Sequence, residues 1–275
     1  MSRRRAQRLI ADGAVTLNGR VARARDKGRL VGADDRVGVS PDAGRVVPEP
    51  RAPLVELAAG PGWVAVDKPA GVAVHPLREA ETGAVLNAVA GRYPHIQGVG
   101  ASGGEGGLGS GVVHRLDVQT SGVLLFALDE ARWRAFRRAF AERQTAKTYL
   151  AVVDGTPDAE GRVELDLKVA RHRPAKVVAA APGDPDARRC DLSWRLAQRR
   201  GGRSLLEIEL GTGFLHQIRA TLAHLGHPVC GDRVYADAET AAAAPRLMLH
   251  AHRLGVLDID VTSPTPRGFD PAGGQ

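Results

Sequence analysis

The sequence has few cysteines, few aromatic residues and no long apolar run. Cys190 and Cys230 lie far apart and match no metal-ligand spacing, so we expect free thiols in a reducing compartment. Aromatic residues make up only 4% of the 275 residues. No apolar run approaches the roughly 18 residues that span a bilayer, and the basic start MSRRRAQRLIADG lacks a signal peptide's apolar core. These absences predict a cytoplasmic protein without a membrane partner.

Motifs for metals, nucleotides and reactive thiols are also missing. His224 and His227 are too weak a pair to predict a metal site. The Gly-rich stretch at 98–111 has no Lys-Ser/Thr pair and no strand leading directly into it, so a loop is favoured over a phosphate-binding motif. No dinucleotide fingerprint and no cysteine nucleophile can be found. We therefore expect no metal and no small-molecule cofactor.

Positive charge, in contrast, is abundant. The chain carries 38 Lys and Arg against 31 Asp and Glu, a formal net charge of +7. The first 50 residues hold 11 basic and 6 acidic residues, so most of the excess lies there. Such a distribution favours an anionic partner, most commonly a nucleic acid, although a solvated basic surface is the alternative.

The N-terminal segment predicts a small α/β module. Residues 2–12 have the pattern of a short helix that ends at Gly13, and Asn18-Gly19 between apolar residues indicates a β-hairpin, with another strand near 36–39. The helix carries Arg3, Arg4, Arg5 and Arg8. The segment SRRRAQRLIADGAVTLNGR resembles an S4-type RNA-binding module, which implies that these arginines bind RNA. That family usually has an earlier helix, so either the module at 1–45 is truncated or the true start of the chain lies upstream.

Four prolines between residues 40 and 54 predict a semi-rigid linker: Pro41, Pro48, Pro50 and Pro53. We place a second domain at 46–275. It alternates short apolar strands with few helices, which predicts an α+β fold. The predicted elements are strands at 63–66, 72–74, 146–153, 205–210 and 246–259, helices at 79–92 and 129–143, and a helix that begins at Phe214 or Leu215. Only weak strands are expected between residues 155 and 193.

The stretch GVVHRLDVQTSGVLLFALD, residues 111–129, is the most informative one. Apolar β-branched runs on both sides predict two buried strands, and a polar segment with Arg115 and Asp117 separates them. Unpaired charges at that position would be costly, which favours a turn that lines a cleft. A surface hairpin with a solvated turn is the alternative.

Asp117 is the strongest candidate for acid–base or covalent chemistry. It lies between the two predicted strands, and a nearby guanidinium would favour its charged form. Arg219 is a candidate for that guanidinium, because it falls in the first turns of a predicted helix after a Gly-rich turn. A planar guanidinium can hold a carboxylate through two hydrogen bonds. From the residues alone, the sequence predicts a basic protein with a buried Asp–Arg site.

Five segments, in order, resemble the RluA-type family of RNA pseudouridine synthases. They are VAVDKPAGVAVHP (64–76), VHRLDVQTSG (113–122), KTYLAVV (147–153), GTGFLHQIRATLAHLGHPVCGDRVY (211–235) and RLMLHAHRL (246–254). VHRLDVQTSG is the most specific of them. The resemblance spans roughly residues 54–270 and implies the pseudouridine synthase fold, a mixed and mainly antiparallel sheet with flanking helices and a central cleft.

The resemblance also implies a reaction and its residues. The family breaks the glycosidic C–N bond of a uridine in RNA, turns the uracil and forms a C–C bond, without a cofactor. Asp117 would be the carboxylate that attacks or stabilises the sugar carbon, or takes a sugar proton. Tyr149 would stack on the uracil and is a candidate acceptor of the C5 proton, and Arg219 would pair with the aspartate. Arg115 would enter the RNA helix in place of the flipped uridine, with His114 also bound to RNA.

One departure from the family pattern bears on activity. Phe214 and Leu215 replace an Arg-Thr pair, which predicts altered substrate preference or weaker activity. Two rival functions remain at this stage: a non-catalytic RNA-binding protein, and a glycosidase, which needs a second carboxylate. We expect a monomeric enzyme that acts on large-subunit ribosomal RNA, with tRNA as the alternative.

Overall fold

The computed structural model describes residues 3–11, 13–40, 45–78, 80–100, 107–172 and 174–271. Its helices are α1 (Arg3–Ala11), α2 (Val85–Arg92), α3 (Glu130–Ala141), α4 (Gln217–His224) and α5 (Ala238–Ala242). Its strands are β1 (Val15–Leu17), β2 (Arg20–Val21), β3 (Val37–Val39), β4 (Val55–Gly60), β5 (Trp63–Lys68), β6 (Ser121–Ala127), β7 (Thr145–Asp154), β8 (Glu160–His172), β9 (Ala175–Ala179), β10 (Arg188–Arg200), β11 (Arg203–Leu210), β12 (Leu249–Val256) and β13 (Ile259–Thr262). The described residues include no helix with the length and apolarity needed to cross a membrane.

The chain divides into two compact units, and the first comprises Met1–Leu54, Ala73–Val112 and Phe126–Arg134. Its N-terminal part confirms the predicted helix and hairpin: α1 precedes a small sheet of order β2-β1-β3. Asn18 and Gly19 both have positive φ, 52° and 77°, which is the backbone of the tight turn that the Asn-Gly pair predicts. A small apolar cluster holds this part together: Leu9, Ala14, Val15 and Ala22.

The predicted Pro-rich linker spans 40–54, and residues 41–44 lie outside the described part of the chain. From residue 45 onwards the segment has neither helix nor strand, but it is not a free tether. Val46 is 1% exposed, and its backbone exchanges two hydrogen bonds with the Gln97 side chain, at 3.1 and 2.7 Å. The segment therefore packs within its own unit, whereas the domain boundary at residue 45 stays a prediction.

Near α2 one predicted strand is wrong, and the predicted helix is confirmed with a later start. Residues 72–74 form no strand, because the carbonyls of Ala73 and Val74 accept hydrogen bonds from the first-turn N–H groups of Val85 and Leu86. The helix begins at Val85 rather than at residue 79, which itself lies outside the described residues. Gly83 has a φ of 81°, so a helix cannot pass through it.

The second unit comprises Val55–Val72, Val113–Leu125 and Ala135–Gln275. Its strands belong to a ten-stranded sheet of order β4-β5-β6-β12-β7-β11-β10-β8-β9, with β13 paired to β12. β12 runs parallel to β6 and antiparallel to β7. The pairs β4-β5 and β12-β13 are antiparallel, as is the whole β7-β11-β10-β8-β9 series. This architecture confirms the predicted α+β class with a mixed, mainly antiparallel sheet.

Three strand predictions in this sheet need correction. Only one strand, β6, borders the polar stretch, because Val112 forms no more than an isolated bridge with Phe126. The late strand at 246–259 is instead the hairpin of β12 and β13, turned at Leu257 with a φ of 53°. The weak strands expected between 155 and 193 prove to be β8 and β10, each 13 residues long.

Apolar packing fixes α4 against the sheet. Ile218 and Leu222, one helical turn apart, are buried in a cluster with residues of β7 and β11 such as Val152 and Ile208. Burial of one helix face in this way leaves no freedom to rotate the helix about its axis. The position of Arg219, between these two apolar residues, is therefore set by the core.

Candidate active site

The polar stretch at 113–120 forms a loop that leads into β6, and His114 anchors its start. His114 Nε2 accepts a hydrogen bond of 3.0 Å from the Leu125 N–H, and its ring stacks on Phe140 at 5.0 Å between centroids. Burial lowers the pKa of His114 to about 3, so the ring is a neutral acceptor. These contacts of His114 hold the loop in place. The predicted contact of His114 with RNA stays a prediction.

Lys68 fixes the middle of the loop. Its side chain is fully buried, and its Nζ donates to the carbonyls of Pro69, Val72 and Val118 at 2.8, 2.7 and 2.9 Å. The third bond reaches the residue that follows Asp117. Burial lowers the pKa of Lys68 to about 8, although the charge of Asp117 acts in the opposite direction. Lys68 thus joins the end of β5 to the loop.

Ser121 secures the end of the loop. Its hydroxyl lies 2.9 Å from His250 Nδ1 and accepts a hydrogen bond of 3.1 Å from Arg246 Nη1. The next residue, Gly122, has a φ of 115°, and a Cβ there would overlap the carbonyl oxygen of Ala251 in the neighbouring strand. Only glycine permits this close approach of β6 and β12.

Asp117 and Arg219 meet in the structure although 102 residues separate them. Arg219 Nη1 donates to Asp117 Oδ2 at 3.0 Å, while Nε and Nη2 hold both carboxylate oxygens of Asp232, at 2.7 and 2.8 Å. The N–H groups of Val234 and Tyr235 also donate to Asp232 Oδ1. Asp232, which is 1% exposed, therefore fixes the fork of Arg219 in the direction of Asp117.

Arg219 remains charged in this environment. Burial by itself lowers the pKa of Arg219, but the hydrogen bonds and charges of Asp232 and Asp117 outweigh it and raise that pKa above its ordinary value. Its guanidinium also lies 5.1 Å from the centre of the Tyr235 ring. Asp117, with 21% of its side chain exposed, is the more accessible carboxylate of the pair that Arg219 binds.

Tyr149 lies in β7, in register with Ile208 of β11 and Ala251 of β12. Burial raises the pKa of Tyr149 well above its ordinary value, and the negative charge of Asp117 adds to the effect. The phenol therefore keeps its proton at neutral pH. Lys147, two residues earlier in the strand, donates to the Thr212 carbonyl at 3.0 Å and so ties β7 to the turn before α4.

Three residues of the centre were missed by sequence reasoning: His216, Asp232 and Tyr235. His216 Nε2 lies 3.8 Å from Asp117 Oδ2, and its Nδ1 lies 3.0 Å from the Tyr235 hydroxyl. All three belong to the segment at 211–235 that was matched to a family pattern, so the signal was present. What the sequence could not supply was the distance of each side chain from Asp117.

The predicted RNA-binding arginines belong to the Asp117 loop and to α1. Arg115 is an exposed residue of the Asp117 loop, and Arg3 is an exposed residue of α1. Arg4, Arg5 and Arg8 also belong to α1. The contact of these five arginines with RNA stays a prediction.

Phe214, the first residue of the altered pair, is partly buried. It packs on a cluster that contains Leu167, Val177 and Ala220, and its N–H donates to Gln217 Oε1 at 3.0 Å. Leu215 is 39% exposed. The replacement thus places an apolar anchor in the turn before α4.

Comparison with known proteins identifies the family. Residues 62–224 match the model of the RNA pseudouridylate synthase family. The chain belongs to this family. An uncharacterized RNA pseudouridine synthase of Chloroflexus aurantiacus is 36% identical over 258 residues, covering 94% of this chain and 78% of that protein. The dual-specificity RNA pseudouridine synthase RluA of Escherichia coli is 37% identical over 194 residues, covering 70% of this chain and 81% of that protein.

Solved structures agree on the RNA pseudouridylate synthase fold. Human RNA pseudouridylate synthase domain containing 1 superposes with a TM-score of 0.64 at 23% identity, covering 82% of this chain and 89% of that one. Family membership makes this chain an RNA pseudouridine synthase, an isomerase that acts on RNA, and the rival functions fall away. Asp232, the other carboxylate that Arg219 binds, is buried, and both of its oxygens are engaged by that guanidinium. Within the described residues, no three His, Cys, Asp or Glu side chains form a metal-binding group.

Proposed function

We propose that Asp117 is the catalytic carboxylate and that Arg219 pairs with it and fixes its orientation. The observation that carries this proposal is the hydrogen bond of 3.0 Å from Arg219 Nη1 to Asp117 Oδ2. Among the described residues, no hydrogen bond reaches the other oxygen, Oδ1. Oδ1 is therefore the atom that we assign to the sugar, either to attack its anomeric carbon or to take a sugar proton.

Tyr149 forms part of the uracil pocket in this proposal. Its phenol is held in the protonated form, which makes it a poor acceptor for the C5 proton. Stacking of an aromatic ring on a base is worth about 1–3 kcal/mol, a useful fraction of the few kcal/mol that flipping a nucleotide costs. We therefore assign Tyr149 the role of stacking on the uracil. Exposed Arg115 is assigned the role of filling the gap that the flipped uridine leaves in the RNA helix.

For the target, we propose a uridine in large-subunit ribosomal RNA, with tRNA as the alternative. The support comes from the N-terminal helix and three-stranded sheet, whose exposed basic residues suit a phosphate backbone. We propose that this part is an S4-like RNA-binding module. The two buried free cysteines suit a cytoplasmic monomer, which we also propose.

Pseudouridine mapping of total RNA tests the target. The cells to compare are the normal strain, a strain without the gene, and the deletion strain that expresses Asp117→Asn. We expect one or a few ribosomal uridines to stay unmodified in the last two strains. A modification that disappears only from tRNA would overturn the ribosomal assignment, and sites that Asp117→Asn restores would overturn the role of Asp117.

A further inference from the structure

His216 lies between the catalytic carboxylate and a tyrosine with a fixed hydroxyl. Its backbone is left-handed, with φ 51° and ψ 19°, directly before α4. The turn around it is held by Gln217, whose Oε1 accepts from the Phe214 N–H and from the Thr212 hydroxyl at 3.0 and 2.9 Å. A strained backbone supported in this way is commonly found where a side chain must point in one direction.

The hydroxyl of Tyr235 determines which nitrogen of His216 carries a proton. Tyr235 Oη accepts a hydrogen bond of 2.8 Å from the Val177 N–H. Its own proton then needs an acceptor, and within the described residues the other polar atom bonded to it is His216 Nδ1, at 3.0 Å. Donation by the hydroxyl makes Nδ1 an acceptor. A neutral imidazole must then carry its proton on Nε2.

Nε2 faces the catalytic carboxylate at 3.8 Å from Asp117 Oδ2. The ionisable groups around the ring are Asp117, Arg219, Asp232 and Tyr235. Burial lowers the pKa of His216, and although the charge of Asp117 opposes this effect, the pKa stays below its ordinary value. At neutral pH the ring is therefore a neutral donor rather than a cation.

We propose that His216 is a positioning residue that donates a second hydrogen bond to Asp117 Oδ2, in the tautomer that Tyr235 imposes. The proposal rests on the catalytic role proposed for Asp117. The separation exceeds a hydrogen bond by roughly 1 Å, and such contacts often tighten only when substrate binds. With Oδ2 held by both Arg219 and His216, Oδ1 is the oxygen left to face the sugar.

The tautomer can be measured without any reaction. Two-bond proton–nitrogen NMR spectra of protein labelled with ¹⁵N-histidine distinguish the ring states, and the signals lost in His216→Gln identify His216. We expect a proton on Nε2 alone at pH 7, and in Tyr235→Phe a pKa of His216 that is higher, because the neutral ring has lost a hydrogen-bond donor. A proton on Nδ1, or a doubly protonated ring at pH 7, would overturn the proposal.

Kinetics test the hydrogen bond itself. In steady-state assays we expect His216→Leu to lower kcat about tenfold with little change in KM. His216→Gln, whose amide N–H can still donate to Asp117, should stay within about threefold of the parent. A His216→Leu enzyme with full activity, or a Gln variant no better than the Leu variant, would contradict the proposal. Asp117→Asn in the same assay tests the proposed function separately. A loss of activity in that variant supports the catalytic role of Asp117 whether or not His216 positions the carboxylate.

Discussion

Arg219 of the catalytic centre is 7% exposed and hydrogen-bonds two carboxylates, whereas Arg3, Arg20 and Arg23 of the N-terminal segment are exposed. The buried guanidinium has one geometry, because Asp232 takes two of its three donor groups. The exposed arginines can adopt many geometries and follow an irregular phosphate backbone. The first arrangement suits chemistry at one atom, and the second suits affinity for a long polyanion.

With the roles proposed above for Asp117 and for the N-terminal arginines, we expect different parts of the chain to determine the reaction and its target. Rate should depend on the contacts around Asp117, and selection of the RNA on exposed cations. Substitutions in the two regions should therefore change different quantities, which can be measured separately as kcat, KM and the free energy of unfolding.

The largest effect on stability is expected for Asp232→Asn. This change leaves the buried guanidinium of Arg219 without its main counter-charge, so the free energy of unfolding should fall by about 3 kcal/mol. Asp260→Asn is the matched control, because Asp260 pairs with Arg253 where both side chains are more than half exposed, and it should cost less than about 1 kcal/mol. Urea unfolding measures both. Equal losses in the two variants would contradict the contrast between buried and exposed pairs.

Acid should weaken the anchor of the catalytic loop. The folded-state pKa of His114, about 3, lies below its ordinary value of 6.5, so the unfolded chain binds a proton between these values and the native chain does not. Stability from this residue is present above pH 6.5 and should fall by about 3 kcal/mol as the pH drops to about 4. His114→Gln should make the free energy of unfolding less dependent on pH between 6.5 and 4. The same change at exposed His172 should leave this pH dependence as in the parent.

The smallest effect is expected in the N-terminal segment. Arg3→Gln combined with Arg20→Gln should raise KM for RNA about three- to tenfold and make it less dependent on salt, with kcat preserved at saturating RNA. Arg253→Gln, an exposed change in the second unit, serves as the control and should alter neither quantity. A fall in kcat with unchanged KM would remove the distinction between the two regions.

Local signals in the sequence were sufficient for some of the fold. The Asn-Gly turn predicted the first hairpin, and the i, i+4 spacing of Ile218 and Leu222 is the pattern of a helix with one buried face. The long strand β8 also carried its signal, since Val163, Leu165, Leu167 and Val169 alternate along it, but polar residues at the positions between them made it look weak. By contrast, Val112 and Val113 have strand composition, but their carbonyls accept hydrogen bonds from the side chains of Trp133 and Arg137 instead.

The site could be predicted only in part, because its contacts join distant segments. Family resemblance indicated that Asp117 and Arg219 pair, and the structure brings them together. No local pattern indicated that Asp232 would bind the Nε and Nη2 groups of Arg219. Nor did one indicate that the Tyr235 hydroxyl would bond to both β9 and His216. Hydrogen bonds of this kind depend on the packing of α4 against the sheet, which the order of residues along a chain does not reveal.

Pseudouridine formation by purified Asp117→Asn protein is the most direct test of the role of Asp117. The measurement is a single-turnover assay on ribosomal RNA from the deletion strain, with folding of the variant checked by its unfolding curve. Asparagine keeps the shape of the side chain and removes the charge that Arg219 binds. We predict a rate at least about a thousandfold below that of the parent enzyme. A folded Asp117→Asn enzyme that forms pseudouridine at a rate near the parent's would contradict the catalytic role of Asp117.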